Sequence, residues 1–333
     1  MIEKLIACAK RYDADVIGFA PRDRFTADDP IFKIFPETKT VIGLGFRVLR
    51  GIYRGVEEGT TYYQYTTMGV ENLEETVMPL ALINVCNLIE EEGYEAIPQR
   101  RNQLIMSEEN STNPEVDYSD IYRGVKAENQ LDFLNCAVQC GLGERSMIGS
   151  LINKDYGPFI RYCFILTDAE FPATPVVADD EKLCDNCGEC IKACPGKAIG
   201  ESGEINNWRC AVYYNGANGT KNPFMPPEAF SNFDDRMDII NGVAEMDDGK
   251  AKEILSSIYF YPPAKHFYRN SICGRACDRA CYIHLEEKGL LGKKFVRKFR
   301  EGEDWKLSTE QFLTGEREVS WVIKRKEEQN HEG

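Results

Sequence analysis

Apolar residues recur at helical spacing from the first turn of the chain. Ile2, Leu5, Ile6 and Ala9 share a face, which predicts a helix over residues 2–12. Residues 14–20 and 40–49 are short apolar runs, the second rich in Val, Ile, Leu and Phe, and they read as buried strands. Residues 71–92 predict a long helix that tolerates or kinks at Pro79 and stops at Gly93. Residues 100–120 are polar and irregular, as in a surface loop. A helix over 129–140 then puts Leu131, Leu134 and Val138 on one face, and 159–167 is a third strand. Helices alternating with strands predict a layered α/β or α+β domain for the first half.

The pattern changes at Pro172-Ala-Thr-Pro175. Cysteines crowd between Cys184 and Cys281, and Gly and Asn turns become frequent. A boundary therefore falls near residue 172. The chain divides into a first domain over 1–172, a cysteine-rich domain over 173–290 with a helical insertion at about 234–256, and a charged extension over 291–333. The basic residues Lys288, Lys293, Lys294, Arg297, Lys298 and Arg300 follow the last cysteine, as a solvated face or as a docking site for an acidic electron donor.

Composition narrows the function. The 333 residues hold 40 basic and 54 acidic side chains, a net charge of −14. Such a surface repels phosphate backbones and argues against nucleic acid as the main partner. The most apolar stretch, 77–89, is too short to span a bilayer. The opening residues Met1-Ile2-Glu3-Lys4-Leu5 lack an export signal and a twin-arginine pair, so a cytoplasmic protein with no membrane partner is expected. Reduced thiols are then expected, and clustered ones read as metal ligands.

There are 13 cysteines. Cys184-x2-Cys187-x2-Cys190-x3-Cys194-Pro195 has the spacing in which three thiolates hold one 4Fe–4S cluster and the fourth reaches a second. Cys210, Cys273, Cys277 and Cys281 complete two sets. One set is Cys184, Cys187, Cys190 and Cys281; the other is Cys194, Cys210, Cys273 and Cys277. Zinc ribbons use pairs of Cys-x2-Cys instead. Cys8, Cys86, Cys136, Cys140 and Cys163 sit in apolar segments and read as core thiols. Two clusters side by side make a wire, so the first half must hold a cofactor or a docking surface. It offers no phosphate-cradling glycine loop, and His266, His284 and His331 form no metal set.

Several further motifs carry a resemblance. Gly141-Leu142-Gly143-Glu144, Leu151-Ile152, Tyr156-Gly157-Pro158, Arg161 and Thr167-Asp168 resemble the cobalamin-binding core of reductive dehalogenases, as does Gly93-Tyr94-x-Ala96-x-Pro98 after a long helix. The related epoxyqueuosine reductases share the Gly-Leu-Gly, Leu151-Ile152-Asn153 and the Tyr-Gly. The resemblance implies an α+β fold: a nitroreductase-like, cobalamin-binding α/β layer domain followed by a two-cluster, bacterial ferredoxin-like domain. It implies two 4Fe–4S clusters and base-off cobalamin, with Gly141, Gly143, Gly149 and Tyr156 at the macrocycle. It implies reductive cleavage of a small organic substrate, fed by a low-potential donor such as ferredoxin or flavodoxin.

The proton donor of dehalogenases lies upstream of the long helix, which points here to Tyr62-Tyr63-Gln64-Tyr65. Tyr65 comes first, because it lies on the favoured face in a strand or a helix, and Tyr63 second. Arg145 and Arg161 are candidate cations that would stabilise a phenolate, and Glu128 is a further acid. Epoxyqueuosine reductases carry a catalytic aspartate where this chain has Ala127, and Trp-Ile-Gly-Lys-Asn where it has Glu144-Arg145-Ser146-Met147-Ile148. An epoxyqueuosine reductase-type enzyme in queuosine (tRNA) biosynthesis is therefore the alternative. A non-enzymatic electron-transfer or corrinoid-reactivating protein is the reading from another class.

Overall fold

The computed structural model describes residues 1–100, 131–258 and 271–316. The apolar runs of the first half become strands of one sheet, ordered β1-β2-β6-β3: β1 (Val16–Pro21), β2 (Thr40–Arg47), β3 (Ala96–Gln99) and β6 (Ile160–Thr167). Every pairing is antiparallel, and β2 and β6 lie in register from Thr40 opposite Thr167 to Arg47 opposite Ile160. β4 (Glu144–Arg145) and β5 (Leu151–Ile152) form a separate short pair. The fold is thus mixed α and β.

Helices cover both faces of the sheet, which is why β2 and β6 carry apolar residues without alternation. Ile42, Leu44, Phe46, Cys163 and Ile165 pack under the helices Ile2–Arg11 and Met78–Glu91. On the other face Val41, Tyr162, Phe164 and Leu166 pack with Ile31, Phe35 and the helix Phe133–Gln139. Each fully buried Leu, Ile or Phe contributes about 1.5–3 kcal/mol.

Two elements depart from the expected pattern. The long helix starts earlier, at Tyr63–Thr66, and passes through wide π-helical turns at Thr67–Glu71 and Leu73–Val77 before becoming regular at Met78. Pro79 stands at the start of that regular stretch, where a missing N–H costs least. β3 escaped the apolar pattern because it is only four residues long and contains Pro98. Proline is tolerated there because β3 is the last strand of the sheet. The polar loop expected at 100–120 lies, beyond Arg100, outside the described residues.

Contacts divide the chain into two units, interleaved in sequence. The first holds Met1–Leu49, Gly69–Cys187 and Cys281–Val296; the second holds Arg50–Met68, Gly188–Ala280 and residues from Arg297 onward. The division does not follow the boundary expected at 172, nor a separate extension from 291. Residues up to Cys187 join the first unit because the buried carboxylate of Glu144 accepts the backbone N–H groups of Leu183 and Cys184. Residues from Cys281 join it because Tyr282 stacks flat on Phe159, with ring centroids 4.2 Å apart. In the second unit, Arg50–Met68 is bound through Glu57, which is 5% exposed and pairs with Arg279 and Arg300.

The second unit is built from short helices and turns. Its buried residues include Trp208, Ala211, Val212 and Tyr213 of the helix Asn207–Tyr214, Ile239 and Ile240 of Arg236–Ile240, and Ile254 of Asp248–Ser257. Among the described residues, no helix is long and apolar enough to cross a membrane.

Candidate metal centre

Glu144 organises the first cysteine loop. The carboxylate is 2% exposed and accepts N–H from Leu183 at 2.8 Å and from Cys184 at 2.8 Å. The N–H of Met147 points at Cys184 Sγ from 3.4 Å. Backbone N–H groups aimed at a thiolate stabilise its negative charge and raise the potential of a cluster bound to it. Further along the loop, Asp185 is clasped by Lys288 and His284, both at the C-terminal end of the helix Ala276–Glu287 or just beyond it. The hydrogen bond from Lys288, then that from His284, holds the Asp185 carboxyl far below its ordinary range, so it stays anionic. Asp185, His284 and the exposed Cys187 bring their ligand atoms within 4.8 Å of one another.

Sequence reasoning registered Glu144 only as part of a motif. Its latching role had one local signal, an acid next to a Gly-Leu-Gly turn. If the latch holds the loop, Glu144→Gln should lower iron by up to about half, since an amide oxygen replaces a carboxylate at two backbone donors. Iron analysis and cluster absorbance check this; a variant with wild-type iron would refute it.

The second unit gathers Cys194, Cys210, Cys273 and Cys277. Burial pushes the Cys210 thiol up to about 12, with Cys273 and Cys194 as charged neighbours that push in the same direction. Burial likewise raises Cys273 and Cys277; Cys194 is a neighbour of the first, and Cys273 and Cys210 are neighbours of the second. Thiols gathered in this way, three of them raised by burial, repel one another as anions and require a polycation to stay ionised. The backbone prepares the site: Ala198 N–H lies 3.2 Å from Cys194 Sγ and Ala276 N–H 3.4 Å from Cys273 Sγ. Arg275, in the left-handed region at φ 51°, is pinned by Asp278.

This donor set fits an iron–sulfur cluster. A tetrahedral zinc ion would draw thiolates to roughly 3.8 Å from one another. Among the described residues, no three of these four thiols have ligand atoms that all lie within 4.8 Å of one another. In the other expected set, Cys184, Cys187 and Cys281 belong to the first unit and Cys190 to the second.

The residues expected at a macrocycle are engaged within their own unit. Gly141 has φ +69° and ends the helix Phe133–Gln139; a Cβ there would meet the Pro175 carbonyl at 2.4 Å. A Cβ at Gly143 would meet the Ile152 carbonyl at 2.3 Å. Gly149 turns the β4–β5 connection at φ +71°, with only Leu134 within 4 Å. Asn153 donates to the Leu142 carbonyl at 2.8 Å, which explains why Leu-Ile-Asn accompanies Gly-Leu-Gly. Tyr156 is half-buried, donates to Asp15 at 3.3 Å and lies under Arg47. The space left by the missing side chains at Gly141 and Gly143 is filled by the chain's own carbonyls, so these residues do not form a cradle for cobalamin.

The expected acid and cation residues are divided between the units. Tyr65 is fully buried in the second unit, 5.0 Å from the Tyr53 ring, and interacts with Arg275 beside Cys277. Tyr63 is half-buried. Tyr62 is buried against Phe224 and Trp305, and its hydroxyl has no hydrogen-bond partner; burial raises its pKa strongly. In the first unit Arg145 is exposed on β4, and buried Arg161 lies 3.6 Å from buried Glu74. Glu128 and Ala127 lie outside the described residues, as do His266 and His331.

Comparison with known proteins agrees with this chemistry. The family described as 4Fe-4S binding domain matches residues 177–200. The tetrachloroethene reductive dehalogenase of Sulfurospirillum multivorans is 35% identical over 66 residues, covering 20% of this chain and 13% of that protein. The epoxyqueuosine reductase of Listeria monocytogenes is 36% identical over 86 residues, covering 25% of this chain and 21% of that protein. The solved epoxyqueuosine reductase of Streptococcus thermophilus superposes with a TM-score of 0.44 at 16% identity, covering 67% of this chain and 60% of that one. The matched segments thus span under a quarter of either curated relative's length. The chain carries a 4Fe-4S binding domain and is similar, over segments of 66 and 86 residues, to a reductive dehalogenase and to an epoxyqueuosine reductase.

Proposed function

We propose that this protein is an iron–sulfur reductase that carries two 4Fe–4S clusters in a ferredoxin-like arrangement and delivers electrons for reductive cleavage of a small organic substrate. The nitroreductase-like reading of the sheet domain belongs to the same proposal. The observation that carries it is that Cys194, Cys210, Cys273 and Cys277 are electrostatic neighbours, with N–H groups directed at Cys194 and Cys273. Clusters of this kind move one electron at a time. The family resemblance adds cobalamin as the group that turns over the substrate. The Cβ directions of Gly141 and Gly143 are filled by the Pro175 and Ile152 carbonyls, so the reading rests on the clusters and no step is drawn through the corrinoid.

What the chain's own residues supply is position and a proton. Glu144 holds the first cysteine loop in place, and the buried Arg161–Glu74 pair fixes a charge in the sheet domain. Tyr65 remains the first candidate proton donor, since Arg275 would stabilise the phenolate that it leaves. Tyr65→Phe should leave iron unchanged and slow turnover by roughly 10²–10⁴. Wild-type turnover by both Tyr65→Phe and Tyr63→Phe would move the role to Glu128.

The test is anaerobic. Reconstituted protein, with and without hydroxocobalamin, is mixed with reduced methyl viologen and either tetrachloroethene or an epoxyqueuosine nucleoside. Viologen oxidation that depends on the halocarbon supports the proposal, and dependence on the nucleoside supports the epoxyqueuosine reading instead. Protein that carries the clusters yet responds to neither substrate is an electron-transfer protein. Cobalamin taken up with a base-off spectrum would agree with the resemblance. Among the described residues the histidine is His284, and Asp185 occupies it.

A further inference from the structure

The segment after the last cysteine helix runs against the charge of the whole protein. Between residues 288 and 298 stand Lys288, Lys293, Lys294, Arg297 and Lys298 and no acid, in a chain of net charge −14. Within the first unit this segment also exposes apolar side chains. Leu290 is 44% exposed, Phe295 47% and Val296 fully. Exposed apolar residues ringed by one sign of charge mark an interaction surface.

The segment is anchored at its middle by two adjacent backbone bonds. Gly292 N–H donates to the Lys154 carbonyl at 2.8 Å and Lys293 N–H to the Asp155 carbonyl at 3.2 Å. It is also tied to the first cysteine loop. Lys288 and His284, one helical turn or about 5.4 Å apart along the axis, both grip Asp185, and His284 lies against the exposed Cys187. In sequence the nearest exposed acids flank the segment, Glu287 on the last turn of the helix before it and Glu301 after it, and Asp185 is held by the clasp.

We infer that the face made by Leu290, Lys293, Lys294, Phe295 and Val296 docks an acidic electron-transfer protein, which reduces the cluster held by Cys184 and Cys187. Charge complementarity selects the partner: lysines around an apolar centre fit a small protein with carboxylates around its own redox centre. The position supplies the reason, because the face adjoins the loop that bears the exposed thiol. The step is a single electron transfer. The donor's reduced cluster loses one electron, this cluster gains it, and no bond or proton changes hands. The inference rests on the cluster-bearing reading proposed above.

The experiment is stopped-flow reduction of the anaerobic holoprotein, followed by cluster bleaching. The donors are a reduced, acidic two-cluster ferredoxin and, separately, reduced methyl viologen. Lys293→Glu/Lys294→Glu and Val296→Asp should each slow reduction by the ferredoxin about tenfold or more at low salt. The wild-type rate should fall with ionic strength, and the double variant should lose that dependence. Reduction by methyl viologen should stay within twofold in every variant. Ferredoxin rates unchanged by both variants would overturn the inference. So would variants slowed equally with both donors, which would mean that the cluster itself is disturbed. Binding to phosphatidylglycerol vesicles lost in the variants, with ferredoxin rates intact, would reassign the face to a lipid surface; concentration-dependent dimerisation lost in the same way would reassign it to a second copy. Absence of any bleaching by methyl viologen in wild type would remove the cluster reading first, and this inference with it.

Discussion

Anaerobically purified Cys210→Ser protein is expected to carry about four iron atoms per chain where the wild type carries about eight. Cys210 stands on the helix Asn207–Tyr214, whose start is capped by Asn206 through the N–H of Arg209 at 2.9 Å. The thiol is thus presented from a regular, capped element, with Cys194 and Cys273 as its electrostatic neighbours. Serine keeps the shape and replaces a soft thiolate by a hydroxyl that ionises far less readily, a poor ligand for iron in a cluster. Cys273 and Cys277, whose thiols burial raises, would then have no metal to offset them. Iron analysis with cluster spectra decides the matter. A wild-type content near four, unchanged by Cys210→Ser, would leave the second cysteine set structural.

Glu57→Gln should be the most destabilising single change outside the cysteines. The Glu57 side chain is 3% exposed and receives Arg279 Nε at 2.8 Å together with Arg300 Nε. Arg279 in turn donates to the carbonyls of Cys273, at 2.7 Å, and Gly274. Removing one charge of a buried pair costs about 3–5 kcal/mol, because the partner is left uncompensated. The Arg300 contact adds little, since that side chain is 32% exposed and screened by water. The loss should appear as an earlier guanidinium midpoint for cluster bleaching, and Glu57→Leu/Arg279→Met should recover part of it. A Glu57→Gln midpoint equal to wild type would show that the pair carries no net stability.

These predictions separate what was readable along the chain from what was not. The strands β2 and β6 were readable because a run of apolar residues is a local property, and both faces of these strands are covered. The cysteine run was readable for a similar reason, since three thiolates directed at one cubane and a fourth directed away from it require short, fixed spacing. β3 was missed because four residues with a proline carry too little pattern. The early start of the long helix was missed because π-helical turns at 67–77 break the 3.6-residue period.

The site shows the same division more sharply. The sequence by itself carried the 4Fe-4S binding motif and the mixed α and β character, because thiolate chemistry and hydrophobic period act over a few residues. Only the tertiary structure decided which acid holds which loop. Glu144 meets the amide of Leu183 across 39 positions, and Glu57 meets Arg279 across 222. Tertiary structure also decided what the glycines are for. Gly141 and Gly143 read as an approach for a flat cofactor, and the folded chain fills that space with the carbonyls of Pro175 and Ile152. Residues far apart in sequence meet only when the entropy of closing the loops between them is offset by the core as a whole, and no local pattern records which of them will meet.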